Sequence, residues 1–252
     1  MAKIICMIPA RLQSSRFPRK VLADLAGRPL LQWVWEAACR TEFFDEVVAA
    51  VDAEETAEVV RNFGGSAEMT SIDCVNGTER LIELVQNGRL KGDIFVNWQG
   101  DEPFVDSAII GDLLQTCRTG DSDIWTLKKK IDDPEQALSP HVTKVVTDSE
   151  GRALYFSRSL IPHYRDHQPE GERVFYKHIG IYAFTYEAVL RIAQLHLCPI
   201  EEAEQLEQLR WLYNGLRIRV HETQKEAIGI DLPEHLATAN ARLAKVLPST
   251  VS

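Results

Sequence analysis

The sequence predicts an α/β protein whose sheet is mostly parallel, with helices on both faces. Apolar runs and segments of helical period alternate from residue 3 to about residue 117, which is the pattern of repeated strand-helix-strand units. The first run, Ile4-Ile5-Cys6-Met7-Ile8, is unbroken until Pro9, as expected of a strand covered on both faces. No repeat, low-complexity tract or Gly/Ser linker interrupts the chain, so residues 1–252 read as one domain.

The elements follow in order. After the first strand comes a polar loop, and Gly27-Arg28-Pro29 then opens an amphipathic helix through Leu30, Leu31, Val34, Ala37 and Ala38, with Pro29 suited to its first turn. Val47-Val48-Ala49-Ala50-Val51 is a second buried strand. Asp52 and the acidic turn Glu54-Glu55 start a helix that Gly64-Gly65 ends. Asn76-Gly77-Thr78-Glu79 starts another, carrying Leu81, Leu84 and Val85, and Ile94-Phe95-Val96 is a strand running into Asn97-Trp98-Gln99-Gly100-Asp101. Beyond Asp121 the pattern shifts to short strands at 124–131, 142–147, 153–156 and 179–184, divided by turn signals such as Ser139-Pro140 and Glu150-Gly151. Residues 121–195 are therefore expected to extend the sheet and to form a lid. Helical period returns at 186–195, at 200–213 and at 233–246.

Composition excludes several classes. With 252 residues, 45% of them hydrophobic, the chain can bury a full core and is not disordered. A formal charge of −9 is the wrong sign for broad binding to nucleic acid or to an anionic membrane, so any anion site must be local. The run from Ile4 to Ala10 is too short to span a bilayer and Lys3 alone is a poor signal-peptide flank, so a cytoplasmic protein without membrane insertion is expected. Five scattered cysteines without a CxxC spacing argue against disulfides and zinc ribbons. Lys128-Lys129-Lys130 reads as a solvated sheet edge.

The most informative segment is the loop after the first strand. It holds Arg11, Arg16, Arg19 and Lys20 and no acid, although acids outnumber bases in the whole chain. Arginine forks and a compact ammonium at a strand's carboxyl end suit a polyphosphate, and a solvated basic loop, the commoner explanation of four such cations, stays open as the alternative, which the position after the first strand narrows without closing. Neither GxGxxG nor GxxxxGK[ST] occurs, so the dinucleotide and P-loop readings fail. Across the same predicted rim, Gln99-Gly100-Asp101-Glu102-Pro103 presents Asp101 as an oxygen ligand for Mg2+. Asp231, before Leu232-Pro233-Glu234, is a helix cap if read alone and a second metal carboxylate if it reaches that rim.

Together these motifs resemble one family. IPARLQSSRFPRK at 8–20, NGTER at 76–80, NWQGDEP at 97–103, ALYFSRSLIP at 153–162, HIGIYAF at 178–184, EQLEQLRWLYNG at 204–215 and GIDLPEHL at 229–236 are similar to CMP-KDO synthetases, the 3-deoxy-manno-octulosonate (KDO) cytidylyltransferases. The match runs in order from residue 4 to about residue 245. The related sialic-acid cytidylyltransferases share the first loop but typically lack the QGDEP and LYFSR pair.

The resemblance implies a nucleotide-diphospho-sugar transferase fold, Rossmann-like, with residues about 121–195 as lid and dimer-contact extension of a homodimer. It implies CTP and KDO as substrates, CMP-KDO and pyrophosphate as products, Mg2+ as cofactor and a place in lipopolysaccharide biosynthesis. Carried over by position, Arg16, Lys20 and Asp101 act on the reaction, and Asp101 and Asp231 hold the metal. Pro9, Ala10, Arg11, Arg16, Lys20, Thr70, Ser71, Asn76, Gly77 and Thr78 meet CTP. Gln99, Arg158, His178, Tyr182, Glu204 and Gln205 meet the sugar acid, with Glu201 the alternative to Glu204. The family usually has glycine where this chain has Arg19, a position where φ > 0 would favour glycine. Two other readings stay open: a cytidylyltransferase for another acidic sugar, such as amino-KDO or a sialic acid, and a catalytically silent CTP-binding protein.

Overall fold

Strand β1 (Ile4–Ala10) is buried along its whole length, and its side chains feed two cores alternately. Ile4, Cys6, Ile8 and Ala10 pack on one face of the sheet, and Ile5 and Met7 on the other. An unbroken apolar run is what such a position requires. The computed structural model describes residues 2–14, 17–165 and 173–246, without the side chains of 244–246.

The strands β4 (Glu46–Val51) and β6 (Ile94–Asn97) flank β1, both parallel to it, and β5 (Ala67–Met69) lies parallel outside β4. Between them run α1 (Leu30–Cys39), α2 (Glu54–Asn62) and α3 (Gly77–Gln86). The chain thus builds outward from β1 on one side and then returns to its other side. That reversal leaves a crevice beyond the carboxyl ends of β1 and β6, the usual ligand position in open α/β sheets.

The sheet continues past β6 through three more strands. β10 (Tyr176–Thr185) is antiparallel to β6 and to β7 (Ile124–Lys130), and β11 (Ile218–Glu222) is parallel to β7. Among the described residues the order is β5-β4-β1-β6-β10-β7-β11. Helix α4 (Ser107–Leu113) covers β7 on the first core, with α5 (Pro134–Leu138) following. On the second core lie α6 (Tyr186–Ile192) and α8 (Gln208–Tyr213), preceded by α7 (Pro199–Glu204). The hairpin of β8 (Lys144–Thr147) and β9 (Ala153–Ser157) packs Val145 and Phe156 into that same core. Helix α9 (Pro233–Val246) closes a third, smaller core over the two-residue strands β2 (Asp24–Leu25) and β3 (Arg28–Pro29), with Leu25, Leu30, Trp33, Ile230, Ala239 and Leu243 at its centre and Phe17 against it.

Strands at 124–130 and 176–185 extend the sheet as expected and belong to its body, while the β8–β9 hairpin lies off the main strand path with Val145 and Phe156 packed into the second core. Two other expectations change. The expected helix at 200–213 breaks at Gln205, whose φ of 53° ends α7. Lys128 is not at a sheet edge, since it pairs with both β10 and β11, whereas the pairing with β11 stops there and Lys130 is exposed. There Lys128 donates to Thr147 Oγ1 at 2.8 Å above the Tyr176 ring, and Lys129 donates to Glu226 at 2.5 Å. The five cysteines are free thiols, three of them buried. Among the described residues no helix is long and apolar enough to cross a membrane.

The crevice depends on a close approach of two chain segments. A Cβ added to Gly100 would stand 2.7 Å from the carbonyl oxygen of Pro9, a backbone atom that cannot rotate away. Gly100→Ala is therefore expected to cost about 1–3 kcal/mol of stability by overpacking. Urea unfolding measures this, and an unchanged midpoint would show that the two segments can separate freely.

Candidate active site

A cavity of about 310 Å³ opens at this rim, with Pro9, Arg11 and Lys20 on one side and Asn76 and Gly77 at the head of α3. Gln99, Asp101 and Asp231 face them, and Arg80 and Glu207 complete the wall.

Local backbone geometry explains how Lys20 enters the cavity. Arg19 takes the left-handed conformation (φ 59°, ψ 25°) at the head of a 3-10 turn spanning Lys20–Leu22. This is the position where the family resemblance leads one to expect glycine. Arg19 N–H donates to Leu12 O at 3.0 Å and its guanidinium pairs with Glu55 on α2, contacts that hold an arginine in a conformation costing roughly 1–2 kcal/mol. The turn sends Lys20 inward, where its ammonium, with a side chain 12% exposed, donates to Asp101 and, at 3.3 Å, to Asp231. Asp101 is held by its own carbonyl, which accepts from Ile230 N–H at 2.9 Å.

Two carboxylates converging on one cation are a hard-oxygen donor pair. Among the described residues no group of three or more His, Cys, Asp or Glu gathers to hold a metal alone. Asp101 and Asp231 therefore fit a divalent ion that takes its remaining ligands from substrate oxygens and water. Beside them the Glu102 carboxyl is buried, with Oε2 lacking a partner. Burial and the Asp101 and Asp231 carboxylates push it up to about 8, against the pull of Lys20.

At the head of α3, Asn76 accepts from Glu79 N–H at 2.9 Å as a cap, while Glu79 accepts from Val75 N–H at 2.8 Å. A Cβ at Gly77 would stand 2.9 Å from the Pro9 ring, so the helix starts directly against β1, with Asn76 and Gly77 lining the cavity.

The opposite wall is carboxylate and aromatic. Glu207 Oε1 accepts from Thr78 Oγ1 at 3.0 Å, while its buried Oε2 lacks a partner. Burial pushes this carboxyl up to about 7; Glu201 and Glu79 add to the rise, and Thr78 and Arg210 oppose it. Behind it Tyr182 packs edge-on against Trp211, and His178 lies 5.3 Å from Tyr182 between ring centroids. His178 Nε2 is 2.9 Å from Thr126 Oγ1, and burial lowers this imidazole to about 3, so it is neutral at physiological pH.

Of the residues expected at the site, Pro9, Arg11, Lys20, Asn76, Gly77, Gln99, Asp101 and Asp231 line the cavity. Ala10, Thr70, Ser71 and Thr78 stand behind that surface: Ala10 ends β1, the Thr70 hydroxyl donates to Val51 O, Ser71 N–H donates to Glu83, and Thr78 reaches Glu207. Arg16 lies outside the described residues. Arg158, His178, Tyr182, Glu204 and Gln205 do not line it. The Glu204 carboxylate accepts from Ser157 Oγ at 2.6 Å and Arg158 N–H at 2.9 Å, and the Arg158 guanidinium donates to the carbonyls of Pro140, Glu204 and Gln205. Gln205 donates to Glu202 O. The acid that does reach the cavity is Glu207, not Glu204 or Glu201, because the break at Gln205 redirects the chain; no local sequence signal marks that break. Arg80, also unforeseen, was open to detection, since it falls on the stripe of α3 that carries Gly77, Leu81 and Leu84.

Glu207 supplies a pH test. Its folded-state carboxyl sits above the usual range, so the stability it contributes is complete below that range and is lost as pH rises through about 7. Glu207→Gln keeps an acceptor for Thr78 and removes the titration. The variant is expected to exceed the parent in stability on the order of 1–3 kcal/mol at about pH 8, and to match it at about pH 4. Urea midpoints at the two pH values measure this, and an equal difference at both would rule out a buried, titrating Glu207.

A sequence profile of the family described as Cytidylyltransferase matches residues 5–218. The 3-deoxy-manno-octulosonate cytidylyltransferase of Geobacter metallireducens is 44% identical, over 96% of this chain and 98% of the relative. That of Geobacter sulfurreducens is also 44% identical, over 92% and 96%. A solved structure of CMP:2-keto-3-deoxy-manno-octonic acid synthetase complexed with CTP superposes with a TM-score of 0.92 at 37% identity, covering 98% of this chain and all of that one. The 4-diphosphocytidyl-2C-methyl-D-erythritol synthase of Anaerococcus prevotii, 14% identical with a TM-score of 0.63, shares the fold.

Proposed function

This chain belongs to the 3-deoxy-manno-octulosonate cytidylyltransferases, and on that premise we propose that its cavity joins CTP to KDO, giving CMP-KDO and pyrophosphate. The observation that carries this reading is the convergence of Lys20, Asp101 and Asp231 below the head of α3. Arg11, Lys20 and Arg16 bind the triphosphate, and the first amides of α3 favour its charge. Pro9, Ala10 and the 70–78 segment receive the cytidine. Asp101 and Asp231 hold Mg2+, which when bound neutralises charge at the reacting phosphorus.

Gln99 and Glu207 face the sugar acid from the opposite wall. His178 and Tyr182 shape that wall from behind, and Arg158, Glu204 and Gln205 brace its backbone. The anomeric hydroxyl of the sugar attacks the α-phosphorus, its oxygen forms the new P–O bond while its proton is lost to solvent, and the bond to the β-phosphate breaks as pyrophosphate leaves with the electron pair. The protein's part is to align the two substrates and neutralise charge, so no nucleophilic side chain is required. The nearby Cys74 thiol fits that absence of a role, being raised to about 11 chiefly by burial and by its bond to Glu83. The product serves lipopolysaccharide assembly in the cytoplasm. The enzyme pairs as a homodimer, for which the exposed Leu138 and Leu160 beside Phe175 offer an apolar surface.

Pyrophosphate release from CTP and Mg2+ is expected on addition of KDO and to be weaker with amino-KDO or a sialic acid. Release with none of them, or CTP binding without turnover, would contradict the proposal. Asp101→Asn is expected to lower turnover about a hundredfold or more while the melting temperature stays near that of the parent. A large drop in melting temperature would make Asp101 structural instead.

A further inference from the structure

One buried ion pair joins the two sides of the cavity that receive the nucleotide. Asp52, at the end of β4, uses its two oxygens for different segments: Oδ1 accepts from Leu12 N–H at 2.8 Å, in the basic loop, and Oδ2 accepts from Arg80 Nη2 at 2.9 Å. Arg80 spends its remaining contacts on the segment before α3. Nη1 donates to Thr70 Oγ1 at 2.6 Å and Ser71 O at 3.2 Å, and Nη2 reaches Cys74 O at 3.5 Å. Thr70 is itself tied to β4, its hydroxyl donating to Val51 O at 3.0 Å. The Arg80 and Asp52 side chains are only 2% and 6% exposed, although Arg80 also lines the cavity.

We infer that Arg80 and Asp52 are positioning residues that set the spacing between the triphosphate loop and the cytidine-side loop, and so the fit of the nucleotide as a whole. This rests on the nucleotide site proposed above. The physical case is one of geometry. A loop carbonyl or amide is placed to better than an ångström only if something rigid holds it, and a planar guanidinium with a fixed fork of donors does so where a flexible ammonium would not. Asp52 is tied to both loops, to Leu12 directly and to the 70–74 segment through Arg80, and this tie is buried, whereas the direct contact of Arg11 Nη1 with Val75 O is long, at 3.5 Å, and exposed. The pair therefore predicts unequal effects. Removing Arg80 frees only the 71–74 carbonyls, whereas removing Asp52 also frees Leu12 and with it the basic loop.

The test compares the wild type, R80M, D52L and the double variant R80M/D52L by calorimetric titration with CTP, CMP and inorganic pyrophosphate, each with a melting curve. R80M is expected to weaken CTP and CMP about tenfold, the scale of lost charge-assisted hydrogen bonds, while leaving pyrophosphate nearly unchanged. D52L is expected to weaken all three. Either single change strands a buried charge and lowers the melting temperature, but the double variant replaces the pair with apolar groups and is expected to regain stability. Its CTP affinity should stay low, because the buried tie between the two loops is then gone and the exposed 3.5 Å contact of Arg11 with Val75 O is left to hold them. Recovery of CTP affinity together with stability would reduce the pair to a structural role. Equal loss of pyrophosphate and CTP in R80M would make Arg80 a direct phosphate contact, and unchanged CMP affinity in R80M would remove its role on the cytidine side. Any of these overturns the inference. Failure of the wild type to bind CTP would instead count against the nucleotide site itself.

Discussion

Lys20 donates to Asp101 and Asp231, partners 81 and 211 positions away in the chain, and the shape of the whole rim follows from bringing these three groups together. Each arrives on a different element. Lys20 comes from a tight turn after β1, Asp101 from the segment after β6, and Asp231 from the stretch leading into α9. The reversal of strand order around β1 puts the first two side by side, and α9, packed over β2 and β3 with Phe17 and Ile230 in the same small core, brings the third. An ammonium between two carboxylates offsets their mutual repulsion while the site holds no other cation. It also leaves Lys20 beside the position a triphosphate would take.

The charges of the site are sorted by wall. On the nucleotide side, cations gather in a chain of net charge −9, and the exposed ones among them keep their water until an anion displaces it. On the other side, burial, helped by Glu201 and Glu79, raises the Glu207 carboxyl to about 7, and behind that wall burial lowers the His178 imidazole to about 3. In the proposed function, a Glu207 carboxyl raised in this way meets sugar hydroxyls with less than full negative charge opposite an incoming carboxylate or phosphate. Arg158, whose guanidinium is turned to three backbone carbonyls, and the fully buried Lys144, which donates to Ser139 O, Val142 O and Arg158 O, stiffen the backbone around that wall.

Much of the proposed nucleotide side is legible in the sequence because it is built from contiguous loops next to strongly patterned elements. The apolar run of β1, the acid-free loop after it and the capped start of α3 each carry their own local signal. The sugar side is less legible because its geometry depends on tertiary events. A non-glycine residue with φ of 53° at Gln205 splits what reads as one helix, and that break decides whether Glu204 or Glu207 points to the cavity. The same holds for β10, whose insertion antiparallel between β6 and β7 turns an apparent peripheral strand into a central one paired with the lysine-bearing end of β7. The left-handed Arg19 is a middle case. The resemblance leads one to expect glycine there, and the fold shows arginine in a left-handed conformation.

The central claim is that this cation-bridged carboxylate pair is the metal and triphosphate site of a cytidylyltransferase. A crystal structure of the chain with CTP and Mg2+ tests it most directly. The expected result is a metal ion bound to Asp101 and Asp231 with oxygen distances of about 2.1 Å, Lys20 turned to the phosphates and cytosine beside the 70–78 segment. A nucleotide bound elsewhere, or a triphosphate at this rim with Lys20 still bridging both carboxylates and no metal between them, would contradict it.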